Sequence, residues 1–202
     1  MKRSVAEVVR AKILASKRGS IFAISDFAGL NQENVGHVLA AIARQGKIIR
    51  LAQGIYVKPK MTRLGPLMPS VDEVVAAIAK RDCASVIPTG ATAANNLGLS
   101  TQVPRGHVYL TSGTARTMKV GKTTVKLMRR SPKNFVYQGN LIPQIIQALK
   151  WIGEDNLEER DLARIRHLLS ENPETSTFEH DVKYAPLWIN KLLKQLRMEA
   201  IK

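Results

Sequence analysis

Residues 21–58, IFAISDFAGLNQENVGHVLAAIARQGKIIRLAQGIYVK, constrain the fold most, because their apolar spacing switches from helical to alternating within one short stretch. Asn31 suits a helix N-cap, where its side-chain oxygen accepts from a first-turn N–H that has no helical partner. Glu33 follows at the positive end of the helix dipole. Val35, Val38, Leu39 and Ile42 then recur at i, i+3, i+4 and i+7, which makes one apolar stripe. Gly46 is the expected stop, since glycine takes the left-handed conformation that closes a helix. A shorter helix is predicted over 25–30 with Ser25 as its cap. The turn Gly29-Leu30-Asn31 between the two gives helix-turn-helix spacing. Residues 47–51 and 55–58 alternate as strands around the loop Ala52-Gln53-Gly54, so a hairpin follows the helices.

The face opposite the apolar stripe carries Gln32, Asn34, His37, Ala41 and Arg44, short or hydrogen-bonding side chains of the kind that reach base edges in a major groove. Lys47, Arg50, Lys58 and Lys60 rim the hairpin. Residues 1–60 therefore read as a winged helix that binds double-stranded DNA. The balance of charge agrees. The chain of 202 residues has a formal charge of +15 and a pI near 10.2, which points to a polyanion, an anionic membrane or an acidic protein as partner. Residues 1–66 carry +9, residues 67–150 carry +8 and residues 151–202 carry −2. Ahead of this unit, Ser4 is expected to cap a helix to about Lys17, burying Val5, Val8, Val9 and Ile13. That leaves Lys2, Arg3, Arg10, Lys12 and Lys17 outside, where they could bracket a phosphate backbone.

Three prolines between residues 58 and 69 stop helices and central strands, so residues 61–69 read as a linker and 70–202 as a second, α+β domain. Ser70 is predicted to cap a helix through Arg81. Residues 84–87 suit a buried strand or a turn, and residues 89–97 a small alanine-rich helix closed by Gly98. From His107 the period is two, with strands expected at 107–111, 116–120 and 123–129, joined at Gly113 and Gly121-Lys122 into a small antiparallel sheet. Its polar face is expected to bear Arg116, Lys119, Lys122, Lys126 and Arg129, with Arg130 and Lys133 beyond. No acid occurs between Asp82 and Glu154, so this face reads as a second anion-binding surface. Helices are predicted at 140–151, 157–169 and 187–199.

Catalytic signals are weak. Gly121-Lys122-Thr123-Thr124 resembles the end of a phosphate-binding loop, but the position needing glycine is Arg116 and the segment enters a strand. His37, His107, His167 and His180 lack metal-ligand spacing, and no metal or cofactor is expected. The triplet Glu179-His180-Asp181 reads as a surface loop, and Cys83 as a small core residue in a reducing, cytoplasmic compartment. No run is apolar enough to span a bilayer, and the basic N-terminus reads as an amphipathic helix without a signal-peptide core. The expectation is a binding protein and not an enzyme.

Residues 50–57 (RLAQGIYV), Tyr109-Leu110-Thr111-Ser112-Gly113, Arg116, the Val120-Gly121 turn and the basic strand reaching Arg129-Arg130-Ser131-Pro132 together resemble the AbiEi family of bacterial type IV antitoxins, in its branch of shorter proteins with a compact C-terminal domain. The resemblance covers most of residues 1–135. It implies a transcriptional autorepressor that binds inverted repeats in its own promoter. It also implies a nucleotidyltransferase-type toxin encoded beside it, countered through the C-terminal domain without a stable complex. Two other classes stay open: a protein- or RNA-binding module that uses the basic sheet of the second domain, and an enzyme acting on nucleic acid.

Overall fold

The computed structural model describes residues 3–102, 104–172 and 175–200 of an α+β protein with small sheets. Two compact units divide it. The first runs to Ala84 and includes Met118–Thr123; the second holds Ser85–Thr117 and the chain from Thr124 onward.

In the first unit, α1 (Val5–Ala15) starts at a capping box in which Ser4 Oγ accepts from Glu7 N and Glu7 accepts from Ser4 N. Val9 and Ile13 are buried; Arg3, Arg10, Lys12 and Lys17 are exposed, and Lys2 lies outside the described residues. Strand β1 (Ile21–Ala23) leads into a single 3-10 turn at Ile24–Asp26. Here the expected helix over 25–30 is corrected. Asp26 turns back to accept from Ala23 N at 2.8 Å, which closes the segment after one turn and puts Ser25 inside it, not at a cap. Asp26 also receives Lys12 through its carbonyl and Lys80 through its carboxylate, at 3.2 Å.

Helix α2 (Gln32–Arg44) follows as the spacing predicts. Asn31 Oδ1 accepts from Asn34 N at 3.0 Å, and Val35, Leu39 and Ile42 are buried. They share one core with Val9, Ile13, Phe22, Phe27, Ile48 and Tyr56. Strands β2 (Ile49–Ala52) and β3 (Ile55–Val57) form the expected hairpin, and β1 pairs with β3 from the other side, giving an antiparallel sheet of order β1-β3-β2.

The segment read as a linker folds into a small antiparallel hairpin, β4 (Lys60–Thr62) and β5 (Gly65–Leu67). Helix α3 (Val71–Arg81) has the Ser70–Glu73 capping box. It belongs to the first unit, where it packs against β1, β3 and the 3-10 turn, so the compact boundary falls at Ala84/Ser85 and not at 61–69. The reason is the stripe Val74, Val75, Ile78 and Ala79, which is buried, whereas prolines mark a turn without dividing a core. Cys83, just past the Asp82 cap of this helix, is exposed and left-handed at φ 50°, contrary to the expected core placement.

From Ser85 onward, β6 (Val86–Pro88), β7 (Gly106–Thr111), β8 (Arg116–Val120) and β9 (Thr123–Arg129) form a sheet of order β6-β7-β9-β8, with α4 (Ala91–Asn96) between β6 and β7; residues 118–120 of β8 and Thr123 of β9 are those counted with the first unit. The sheet is mixed, not antiparallel: β7 and β9 run parallel, His107 beside Val125 and Thr111 beside Arg129, because the β8–β9 hairpin returns with β9 on the inside. Helices α5 (Leu141–Ile152), α6 (Glu159–Glu171), α7 (Thr175–Val182) and α8 (Leu187–Ala200) complete the unit. α5 is buried nearly all round, with Gln147 accepting from Thr89 Oγ1 at 3.0 Å.

The triplet expected in a surface loop lies on α7, and Asp181 is fully buried. Its carboxylate accepts from Gln138 N and Gly139 N, each at 2.8 Å, and lies 2.9 Å from His180 Nδ1, tying the approach to α5 onto α7. Burial, and secondarily the Asp181 carboxylate, pushes the neighbouring Tyr137 hydroxyl above its ordinary range. Replacing Asp181 by Ala would take the acceptor from two part-buried N–H donors. The expected loss is about 2–4 kcal/mol, read as a lower urea midpoint; an unchanged midpoint would contradict this role.

Candidate nucleic-acid interface

Burial of one side of α2 leaves the other side in solvent. Gln32, Asn34, His37 and Arg44 are all exposed, and Ala41 is half-buried between them. The residues differ in how free they are. Gln32 Nε2 donates to Phe27 O at 3.3 Å and Leu30 O at 3.2 Å, so its amide braces the turn that positions the helix. His37 Nε2 lies 3.9 Å from Glu33 one turn earlier, which puts an acid on the outward face near the helix start. Asn34 and Arg44 stand at either end of this face, Asn34 in the first turn and Arg44 as the last residue of the helix.

Lys47 and Arg50 are exposed beside it. Arg44 and Arg50 border a shallow cleft of about 500 Å³ that runs between the end of α2 and the β2–β3 hairpin, floored by Ala40, Ala43, Ile48 and Tyr56. Lys60 is exposed on β4. Lys58 differs: its ammonium donates to Ile13 O at 2.9 Å, Leu14 O at 2.9 Å and Ser16 O at 2.7 Å. Ile13 and Leu14 belong to the last turn of α1 and Ser16 is its C-cap residue, so Lys58 serves as a C-terminal cap. This removes it from the residues available to an external phosphate.

The hairpin expected to act as a wing is also restrained at its tip. Gln53 O accepts from Arg81 Nη1, and Gly54 O accepts from Ile24 N at 3.1 Å. Gly54 is buried with φ 70°, and a Cβ there would stand 3.2 Å from Ile24 Cδ1. Side chains could reveal none of this in the sequence, since Arg81 lies far along the chain and its bond is to a backbone oxygen.

The second expected basic surface does not form one face. Alternation along β8 places Arg116 on the side of Met118 and buried Val120, and Lys119 on the other. Along β9, Lys126 lies opposite the side that holds buried Val125 and Leu127, whereas Arg129 shares their side. The odd spacings 116/119 and 126/129 already required this split. Lys122 is exposed in the β8–β9 turn. Arg129 and Arg130 come together instead at a cleft of about 580 Å³, with Ser112, Ser131, Pro132 and Phe135. Among the described residues, no group of three metal-binding side chains is assembled and no helix is long and apolar enough to cross a membrane.

The chain belongs to DUF6088, a family of unknown function whose match spans residues 8–177. No curated protein matches the chain.

Substitution separates the two kinds of cation. Lys58→Ala is expected to cost about 1–3 kcal/mol and to lower the melting temperature, while Arg44→Ala leaves it within error. Equal melting temperatures for the two variants would refute the capping assignment.

Proposed function

We propose that this protein is a winged-helix DNA-binding protein, with α2 as the helix that enters the major groove. The observation that supports the reading most is the exposure of Asn34, His37 and Arg44 on one face of a helix whose opposite face is buried. An amide and a guanidinium are the groups that bond adenine and guanine edges in pairs. Lys47, Arg50 and Lys60 supply charge for the sugar-phosphate backbone, and no acid occurs from Asn34 to Val71 to repel it. Glu33 turns the base-reading part of the face toward Asn34 and the later turns of the helix.

The resemblance to AbiEi antitoxins extends the proposal to an autorepressor of its own promoter, acting on inverted repeats. It would also counter a nucleotidyltransferase-type toxin, encoded alongside, without a stable complex. The cleft at Arg129, Arg130 and Phe135 favours a second reading, in which the second unit binds RNA or an acidic protein and operator recognition is absent. Equal affinity for promoter and random DNA would select that alternative.

The double variant Asn34→Ala/Arg44→Ala is expected to keep its far-UV spectrum and melting temperature and to lose promoter retardation in a gel. Wild-type retardation by the folded double variant would remove α2 from the interface. For the wild type, log affinity should fall with log salt by about 0.9 per phosphate neutralised. A flat titration would contradict phosphate contact.

A further inference from the structure

The hairpin β4–β5 has no role in the core. Its register pairs Lys60 with Leu67, Met61 with Pro66 and Thr62 with Gly65, leaving Arg63 and Leu64 as a two-residue tip. The tip is built rather than loose: Thr62 Oγ1 donates to Gly65 O at 2.7 Å and accepts from Leu64 N at 3.2 Å. No residue from Lys60 to Leu67 is buried. Leu64 is fully exposed, and Met61 and Leu67 are more than half exposed. A two-stranded ribbon that buries neither face gains little by folding on its own, and clustered exposed apolar groups mark a contact surface.

Three observations identify what it contacts. Lys60 and Arg63 lie within the stretch from Asn34 to Val71 that has cations and no acid, so the complementary surface is anionic. Ile49 pairs with Val57, so β4 leaves the sheet at the end where Lys47 and β2 enter, just past Arg44 of α2. The β2–β3 tip, which would ordinarily serve as the reaching element, is tied down by Arg81 and Ile24, while the next hairpin is free on both faces. Cations beside an apolar wedge are the combination with which protein arms occupy a minor groove and unstack its base steps.

We propose that β4–β5 is a second DNA-contacting arm, with Arg63 in the minor groove and Leu64 pressed against a base step. This rests on the DNA-binding reading above. Arg63 draws on the negative potential of a narrow groove, and Leu64 supplies the wedge that bends the duplex.

The test uses the full chain and a duplex from its own promoter. Wild type, Arg63→Ala/Leu64→Ala and Leu64→Ser are compared by anisotropy, hydroxyl-radical protection, circular-permutation mobility and sedimentation. Because the hairpin buries nothing, all three should melt together. Wild type should bend the duplex and protect a minor-groove segment. The double variant should bind about tenfold more weakly and lose both bend and protection. Leu64→Ser should lose the bend and keep the salt dependence. If wild type binds and the double variant retains affinity, bend and protection, the arm is refuted while the α2 interface stands. Failure of wild type to bind any duplex would refute both. Conversion of a wild-type dimer to a monomer by the double variant, with protection unchanged, would assign the hairpin to a contact between copies and overturn the arm.

Discussion

The burial of Val35, Leu39 and Ile42 governs the first unit. A helix of 13 residues has one face to give to a core, and once these side chains join Val9, Ile13, Phe22 and Phe27, the rotation of α2 is fixed. Rotation decides which residues meet solvent. Asn34, His37 and Arg44 are outside because the branched side chains are inside, and no separate device is needed to present them. The caps and braces around α2 then set where the helix begins. Asn31 holds the first turn, and Gln32 bonds back to Phe27 and Leu30. Asp26 gathers Ala23, Lys12 and Lys80 around the 3-10 turn before it.

The same unit spends some of its cations on itself. Lys58 closes α1, Arg81 holds Gln53, and Lys12 bonds Asp26 while lying 4.7 Å from the Phe27 ring centre. Net charge alone therefore overstates what is available to a polyanion. The functional reading rests on exposed cations: Arg44 and Lys47 at the end of α2, and Lys60 and Arg63 on the β4–β5 hairpin. In the second unit the organising element is α5, enclosed on nearly every side and joined to α7 through a buried carboxylate.

Local signals were legible where one residue type does one job. Ser4 and Ser70 with their glutamates, Asn31, and the helical stripes of α2, α3, α5 and α8 all formed at the expected places. What escaped were features made by distant partners. Asp181 reads as a loop acid until Gln138 and Gly139 bring their N–H groups to it, and Lys58 reads as a rim cation until three carbonyls at the end of α1 and its cap surround it. The parallel pairing of β7 with β9 was hidden because alternation is the same in parallel and antiparallel strands. The split of the cations between the two faces of β8 and β9 is legible in the sequence, since Arg116 with Lys119 and Lys126 with Arg129 differ by odd numbers. The prolines of residues 59–69 mark a turn and say nothing of the core that Val74, Val75 and Ile78 join.

The central claim is that the exposed side of α2 meets DNA while its buried side keeps its packing. Titrating the isotopically labelled chain with its promoter duplex, and following each backbone amide by NMR, tests this directly. Shifts should concentrate at Asn34, His37, Ala41 and Arg44, with Val9 and Ile13 of α1 unmoved. Shifts confined to Arg129, Arg130 and Phe135, with α2 silent, would contradict it.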